Sequence, residues 1–179
     1  MLKYIATIHP QFVLLTSEAI LMYSPMSSLA ISSDRADKTR WHWVLQACAV
    51  VSAYTGLAVI TCNKYLNRYP HYTSWHGSIG IFQCGMIALQ VSGGILEQFP
   101  DILPFKVRLV LLKRMHAFFG MLTFFGGLTT VTLGLYSSWF VANVHNLLWK
   151  ACFSCPTVLA VTVLVQVARS QFSWIWRRQ

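Results

Sequence analysis

Five apolar runs, each close to the roughly 20 residues needed to cross the hydrocarbon core of a bilayer, dominate this chain. They cover residues 4–23, 42–63, 75–96, 115–140 and 147–167. Runs of this length in lipid must satisfy their backbone groups internally, which points to helices. Charged residues make up 11% of the 179, against roughly 25% in a soluble domain. The expectation is an all-α membrane protein with five transmembrane helices.

The breaks between the runs carry turn and charge signals: SPMSSLAISSDRADKTR, KYLNRYPHYTS, EQFPDILPFKVRLVLLKR and the short VANVH. None is long enough for a soluble domain, so a single domain over 1–179 is expected. The net charge of +9 could suggest nucleic acid. Basic residues scattered over a hydrophobic chain are commoner at membrane-helix ends, so no nucleic-acid role is expected. Short breaks make consecutive helices antiparallel, and alternate breaks then share a side. One side collects Arg35, Lys38, Arg40, Lys106, Arg108, Lys113, Arg114, Arg169, Arg177 and Arg178; the other holds Lys3, Lys64, Arg68 and Lys150. The positive-inside rule puts the first group, with the C-terminus, in the cytoplasm. The first run then starts on the far side, which leads us to expect a further span of roughly 20 apolar residues upstream in the natural transcript.

Four of the six histidines share one sequence position. His9, His42, His76 and His116 stand at or near the starts of four consecutive runs, 33, 34 and 40 residues apart. Because the helices alternate in direction, His9 and His76 fall near the outer face, and His42 and His116 near the cytoplasmic face. A lone histidine there is ordinarily an interfacial hydrogen-bonding residue. Four in register are a functional signal, since an ionisable group inside a bundle is costly to leave unpaired. One zinc site using all four is excluded by geometry, because helical rise separates the pairs by most of the core. Two zinc sites would need further ligands, and Glu18 and Glu97 are the only acids near the runs. Two axial nitrogens are what a six-coordinate haem requires. The residues therefore favour two b-type haems, held by the pairs His9/His76 and His42/His116 in a four-helix antiparallel bundle. Glycines at 77, 80, 85, 93, 94, 120, 126, 127 and 134 could make room for a flat macrocycle, although close helix packing explains them as well. Trp41, Trp43, Trp75, Phe118 and Phe119 could line such pockets or form interfacial belts.

The five cysteines are odd in number, and Cys152 and Cys155 form a CxxC followed by Pro156. Covalent c-type haem attachment needs histidine there, so that chemistry is not expected.

The words HPQFVLLTSEAILMYSP at His9, HWVLQ at His42, HGSIG at His76, LQVSGG at 89–94 and MHAFFG at His116 resemble the cytochrome b561 family, closest to its short animal branch of transmembrane reductases. The resemblance covers essentially the whole chain. Family members carry one span ahead of the four haem-bearing ones, whereas only eight residues precede His9 here. The signatures ALLVATY and SLHSW of other branches are absent. The resemblance implies an oxidoreductase that takes electrons from cytoplasmic ascorbate and passes them through the two haems to monodehydroascorbate or ferric iron. It also implies an endoplasmic reticulum or vesicle membrane and admits a homodimer. Near the inner pair, Lys38, Arg40, Lys113 and Arg114 would attract an anionic donor, though positive-inside topology accounts for the same residues. On the outer face His71, Arg68 and Lys64 could meet the acceptor. The rival from another class is a non-redox scaffold or small transporter that kept the bundle, and it would be colourless.

Overall fold

The computed structural model describes residues 2–23, 34–102 and 108–176. Side chains are described for 11–23, 34–102 and 108–166, apart from 139, 146, 149, 150, 152 and 153. Among the described residues the chain is helical and has no strand. The helices are α1 (Leu2–Leu21), α2 (Arg35–Leu66), α3 (Trp75–Gln98), α4 (Leu109–Leu135), α5 (Ser138–Asn143) and α6 (Asn146–Trp176), with a single 3-10 turn at Pro100–Ile102.

Local chemistry sets the helix starts. The Asp34 side chain accepts from Ala36 N–H, and Ser74 and Ser137 do the same for Gly77 and Phe140; each satisfies a donor that the first turn leaves open. Between α2 and α3 the chain reverses through Arg68 and Tyr72, both at positive φ (55° and 54°), with Lys64 Nζ donating to the Pro70 carbonyl.

The helices differ from the apolar runs in three ways. α2 begins seven residues before the run at 42, and α4 six before the run at 115. Hydropathy marks the hydrocarbon core, and a capped helix continues past it on polar turns. A 32-residue helix is about 48 Å long at 1.5 Å per residue, so the turns bearing Arg35, Asp37, Lys38 and Arg40 extend beyond a ~30 Å core. The run at 115–140 is also not one helix, because α4 stops at Leu135 and α5 restarts at Ser138. Serine hydroxyls compete for backbone groups and favour such restarts. α6 runs through Pro156 without ending. Of the described helices, α2, α3 and α4 are long and apolar enough to cross a membrane; α1 and α6 hold shorter apolar stretches at Gln11–Leu21 and Ser154–Gln166.

Two helix hairpins organise the packing. α1 lies along α2 and α3 along α4, while α6 covers α1 and α4. α2 and α3, though consecutive, barely touch, and Tyr54 Oη bridges them by donating to the Cys84 carbonyl at 2.9 Å. The buried core is thin: Phe12, Val13, Ala49, Ile87, Phe124, Leu128 and Val163. Large apolar side chains instead face outward at mid-helix, with Val51 66% and Phe82 68% exposed. In water such a surface would drive aggregation, whereas against lipid tails it is at home. Tyr65, Tyr69, Tyr72 and Trp75 are exposed around the α2–α3 turn, as an interfacial aromatic belt requires.

The tightest cross-hairpin contact seats Phe12 of α1 on Gly127 of α4, where an added Cβ would lie 2.8 Å from Phe12 Cε1. Gly127→Ala should therefore lower the stability of the folded chain by about 1–3 kcal/mol, the usual cost of overpacking. Phe12→Leu should recover most of it. Detergent-titrated unfolding of the parent chain, the two single variants and the double variant checks this; a destabilisation that Phe12→Leu leaves untouched would refute the contact as its cause.

Candidate functional site

Three of the four histidines have described side chains, and each leans on the other helix of its hairpin. His42, the eighth residue of α2, reaches back to α1. Its Nδ1 lies 2.8 Å from the main-chain carbonyl of Ala19. A carbonyl only accepts, so Nδ1 carries the proton and donates it. Ala19 belongs to the last four residues of α1, whose carbonyls lack an intrahelical partner; the histidine supplies one. Tyr23 packs obliquely against the imidazole, ring centroids 5.4 Å apart, and its hydroxyl donates to Thr39 Oγ1.

His76, in the first turn of α3, repeats the arrangement with α4. Its Nδ1 donates to the Thr130 carbonyl at 2.8 Å. The ring can come this close because residue 134, one turn along α4, is glycine: an added Cβ would stand 3.1 Å from His76 Cε1. In both cases the bond at Nδ1 leaves Nε2 as the ring nitrogen without a proton. This is the second-shell arrangement by which metal-binding histidines are oriented.

His116 differs. It is the eighth residue of α4, and Glu97 Oε1 stands 4.0 Å from its Nδ1, the right charge but beyond hydrogen-bond reach. Gln90, with its amide turned so that both ends find partners, donates to the His116 carbonyl at 3.2 Å and accepts from Gly120 N–H at 3.0 Å. The same amide nitrogen lies 3.2 Å from His116 Nδ1. Gly93 leaves space beside the ring, where a Cβ would approach Nδ1 to 3.2 Å. The backbone carries His9 as the eighth residue of α1, and its side chain lies outside the described residues. The histidines thus stand two turns inside three helices rather than at their starts; only His76 is in a first turn.

Helical rise arranges these positions in two layers. Phe12 marks the level at which antiparallel α1 meets Gly127 of α4. Three residues outward on each helix, His9 comes level with Thr130, the carbonyl that holds His76. Eleven residues inward, Tyr23 comes level with His116, and Tyr23 packs on His42. His42 and His116 are near enough to interact electrostatically, and Glu97 acts on both. The layers are fourteen residues apart along α4, about 21 Å at 1.5 Å per residue. Among the described residues no three of His, Cys, Asp and Glu gather into a metal-binding group.

The charged candidates lie at the end of the bundle where α2 and α4 begin. Arg40 Nη1 stands 3.7 Å from Asp37 Oδ1, both well exposed, a pair of little energetic weight. Lys113 and Arg114 are exposed and Lys38 half-buried; Lys113 lies within electrostatic range of Glu97. At the other end an open apolar cavity of about 300 Å³ is lined by Thr61, Cys62, Tyr65, Leu66 and His71. His71 and Arg68 are exposed, and Lys64 is engaged by Pro70. Glu18 is half-buried near the inner end of α1 and has no assigned role. Cys155 is a free, exposed thiol. Lys106, Arg177 and Arg178 lie outside the described residues, as do the side chains of Lys3, Lys150, Cys152 and Arg169.

Three residues not singled out from the sequence as site residues belong to this region: Gln83, Gln90 and Thr130. A signal for the first two was present, because His76, Gln83, Gln90 and Glu97 recur every seven residues.

The sequence profile of the eukaryotic cytochrome b561 family matches residues 7–141, an interval that holds all four histidines. The chain is 35% identical over 159 residues to transmembrane reductase CYB561D2 of Bos taurus, covering 89% of this chain and 71% of that protein. The Homo sapiens counterpart is 34% identical over the same shares. Probable transmembrane reductase CYB561D1 of Homo sapiens is 32% identical over 167 residues, 90% of this chain and 72% of the relative. No solved structure matches.

Because the His76 ring passes so near residue 134 that even a Cβ would stand 3.1 Å from Cε1, the branched side chain of Gly134→Val should displace the ring and break that bond. Nitrogen-15 spectra of histidine-labelled protein should then lose the protected Nδ1–H of His76 and keep that of His42. Retention of both signals would show that the ring does not depend on the gap.

Proposed function

The chain belongs to the eukaryotic cytochrome b561 family, and from that premise we propose that it carries electrons across a bilayer, from cytoplasmic ascorbate to monodehydroascorbate or ferric iron on the other side. Membership makes it a membrane oxidoreductase of a haem-binding kind. The reading beyond that is two b haems, one held by His42 and His116 near the cytoplasmic face and one by His9 and His76 near the outer face. The whole chain, 1–179, acts as one transmembrane domain with five spans. The observation that carries it is the donation of Nδ1–H by both His42 and His76 to main-chain carbonyls. It fixes the tautomer that presents Nε2 to a metal. The layering of the four positions and the glycines beside the His76 and His116 rings support the pairing. A haem with two histidine ligands has no open coordination site, so what it supplies is one-electron transfer rather than oxygen activation.

The protein's own contribution is orientation and charge. Carbonyl acceptors make the imidazoles better ligands than free histidine. At the inner end, Lys38, Arg40, Lys113 and Arg114 raise the local concentration of an ascorbate anion, and Arg40 can give it charge-assisted hydrogen bonds once it lets go of Asp37. The same charges orient the chain with its C-terminus in the cytoplasm, in an endoplasmic reticulum or vesicle membrane.

Haem counting tests the pairing. His42→Ala should leave one haem of two, as should His76→Ala, with different residual spectra in the two variants. Loss of both haems from either variant in folded protein would sink the separate pairs. Arg40→Gln should slow reduction by ascorbate several-fold and leave reduction by dithionite unchanged. Equal ascorbate rates would return Arg40 to a purely topological role.

A further inference from the structure

α3 carries a polar residue every seventh position, His76, Gln83, Gln90 and Glu97, in a helix otherwise apolar enough to span a membrane. The first three each hydrogen-bond the backbone of α4, at Thr130, Thr123 and His116 respectively. Each step of seven along α3 is answered by a step of seven back along α4. These are therefore three rungs of one antiparallel ladder. Glycines flank it: Gly126 lies against the Gln83 amide so closely that an added Cβ would collide with Oε1, Gly120 lies against Gln90, and Gly134 against His76.

The middle rung is the most deeply buried. Gln83 is 5% exposed and its Nε2 donates to the Thr123 carbonyl. A primary amide inside the span is costly unless bonded. A slip of α3 on α4 by one or two helical turns (three, four or seven residues) would withdraw Thr123 and bring a Cβ-bearing residue against the amide where Gly126 now gives way. A single buried polar residue of this kind selects one helix register at some cost in stability. Apolar neighbours alone discriminate poorly in lipid, where helices gain nothing from burying apolar area.

Register matters here because, on the proposed function, this hairpin holds one ligand of each haem. His76 is one seven-residue step from Gln83, and His116 is one such step from Thr123. A slip would rotate the two rings and change their separation together. We propose that Gln83 is a positioning residue, which through its bond to Thr123 locks α3 against α4 and so sets the spacing and facing of His76 and His116. It touches neither histidine.

The test uses the full haem-loaded chain and the variants Gln83→Leu, Gly126→Ala and the double variant. The readouts are the low-spin ferric resonance of each haem, the rate of haem release to excess apomyoglobin, and helix melting. Gln83→Leu should shift both resonances and release both haems about fivefold faster, the factor set by one net hydrogen bond, without lowering helix melting. Gly126→Ala should shift both resonances and speed both releases by displacing the amide, with a loss of helix melting from the unbonded amide, and should add nothing to the resonance shifts and release rates of Gln83→Leu. Wild-type resonances and release rates in the single variants overturn the inference, as does an additive double variant or a Gln83→Leu chain whose melting falls in step with haem loss. If Gln83→Leu does not fold, Gly126→Ala decides alone by its resonances and release rates. A parent chain that binds no haem overturns the underlying functional reading and this inference with it. Two haems indifferent to both variants overturn the inference only.

Discussion

An imidazole inside a bilayer bundle has to give its ring N–H to something, because neither lipid nor apolar side chains will accept it. In this protein the acceptor for His42 and His76 is the main chain of the neighbouring helix, Ala19 for one and Thr130 for the other. That choice governs much else. It ties α1 to α2 and α3 to α4, it needs a glycine at 134 where the His76 ring passes, and it leaves Nε2 of each ring without a proton. Structure and chemistry are served by opposite edges of the same five-membered ring.

The core that surrounds these bonds is slight. The eleven apolar residues buried among those described would scarcely hold a soluble domain of this size, and large side chains such as Phe82 and Val51 point away from the bundle. In lipid, however, the helices need not bury apolar area to stay together. Close approach and polar bonds decide which faces meet, and the contacts between helices are of that sort: Phe12 on the bare backbone of Gly127 and Tyr54 on the Cys84 carbonyl between the hairpins, Gln83 on Thr123 within one. Sparse contact between α2 and α3 leaves the two hairpins distinct, each presenting histidines from its own side.

Charge is distributed to match. The inner layer has the acid Glu97 beside His116 and the cations Lys113 and Arg40 within a turn or two of the histidines. The outer turn is aromatic and strained through Arg68 and Tyr72. The charged first turns of α2 and α4 lie at one end of the bundle and the aromatic α2–α3 turn at the other, so the two ends are chemically different.

The sequence by itself determined the membrane class and the helical character, and it singled out four histidines by their spacing, because apolar run length and one-helix spacing are properties of the linear chain. It also carried the family words. It did not determine where the helices begin, since hydropathy reports the hydrocarbon core and a capped helix such as α2 continues on charged turns from Asp34. Nor could it show the break at Tyr136–Ser137 inside one apolar run. Only the tertiary structure decided what each histidine leans on, and that Gln83 and Gln90 answer Thr123 and His116 across the hairpin. The seven-residue spacing of α3 was legible all along. Its meaning was not, because a hydrogen bond from a side chain to a carbonyl depends on which helix is opposite and in what register, and that is fixed by contacts between residues about forty positions apart in the chain.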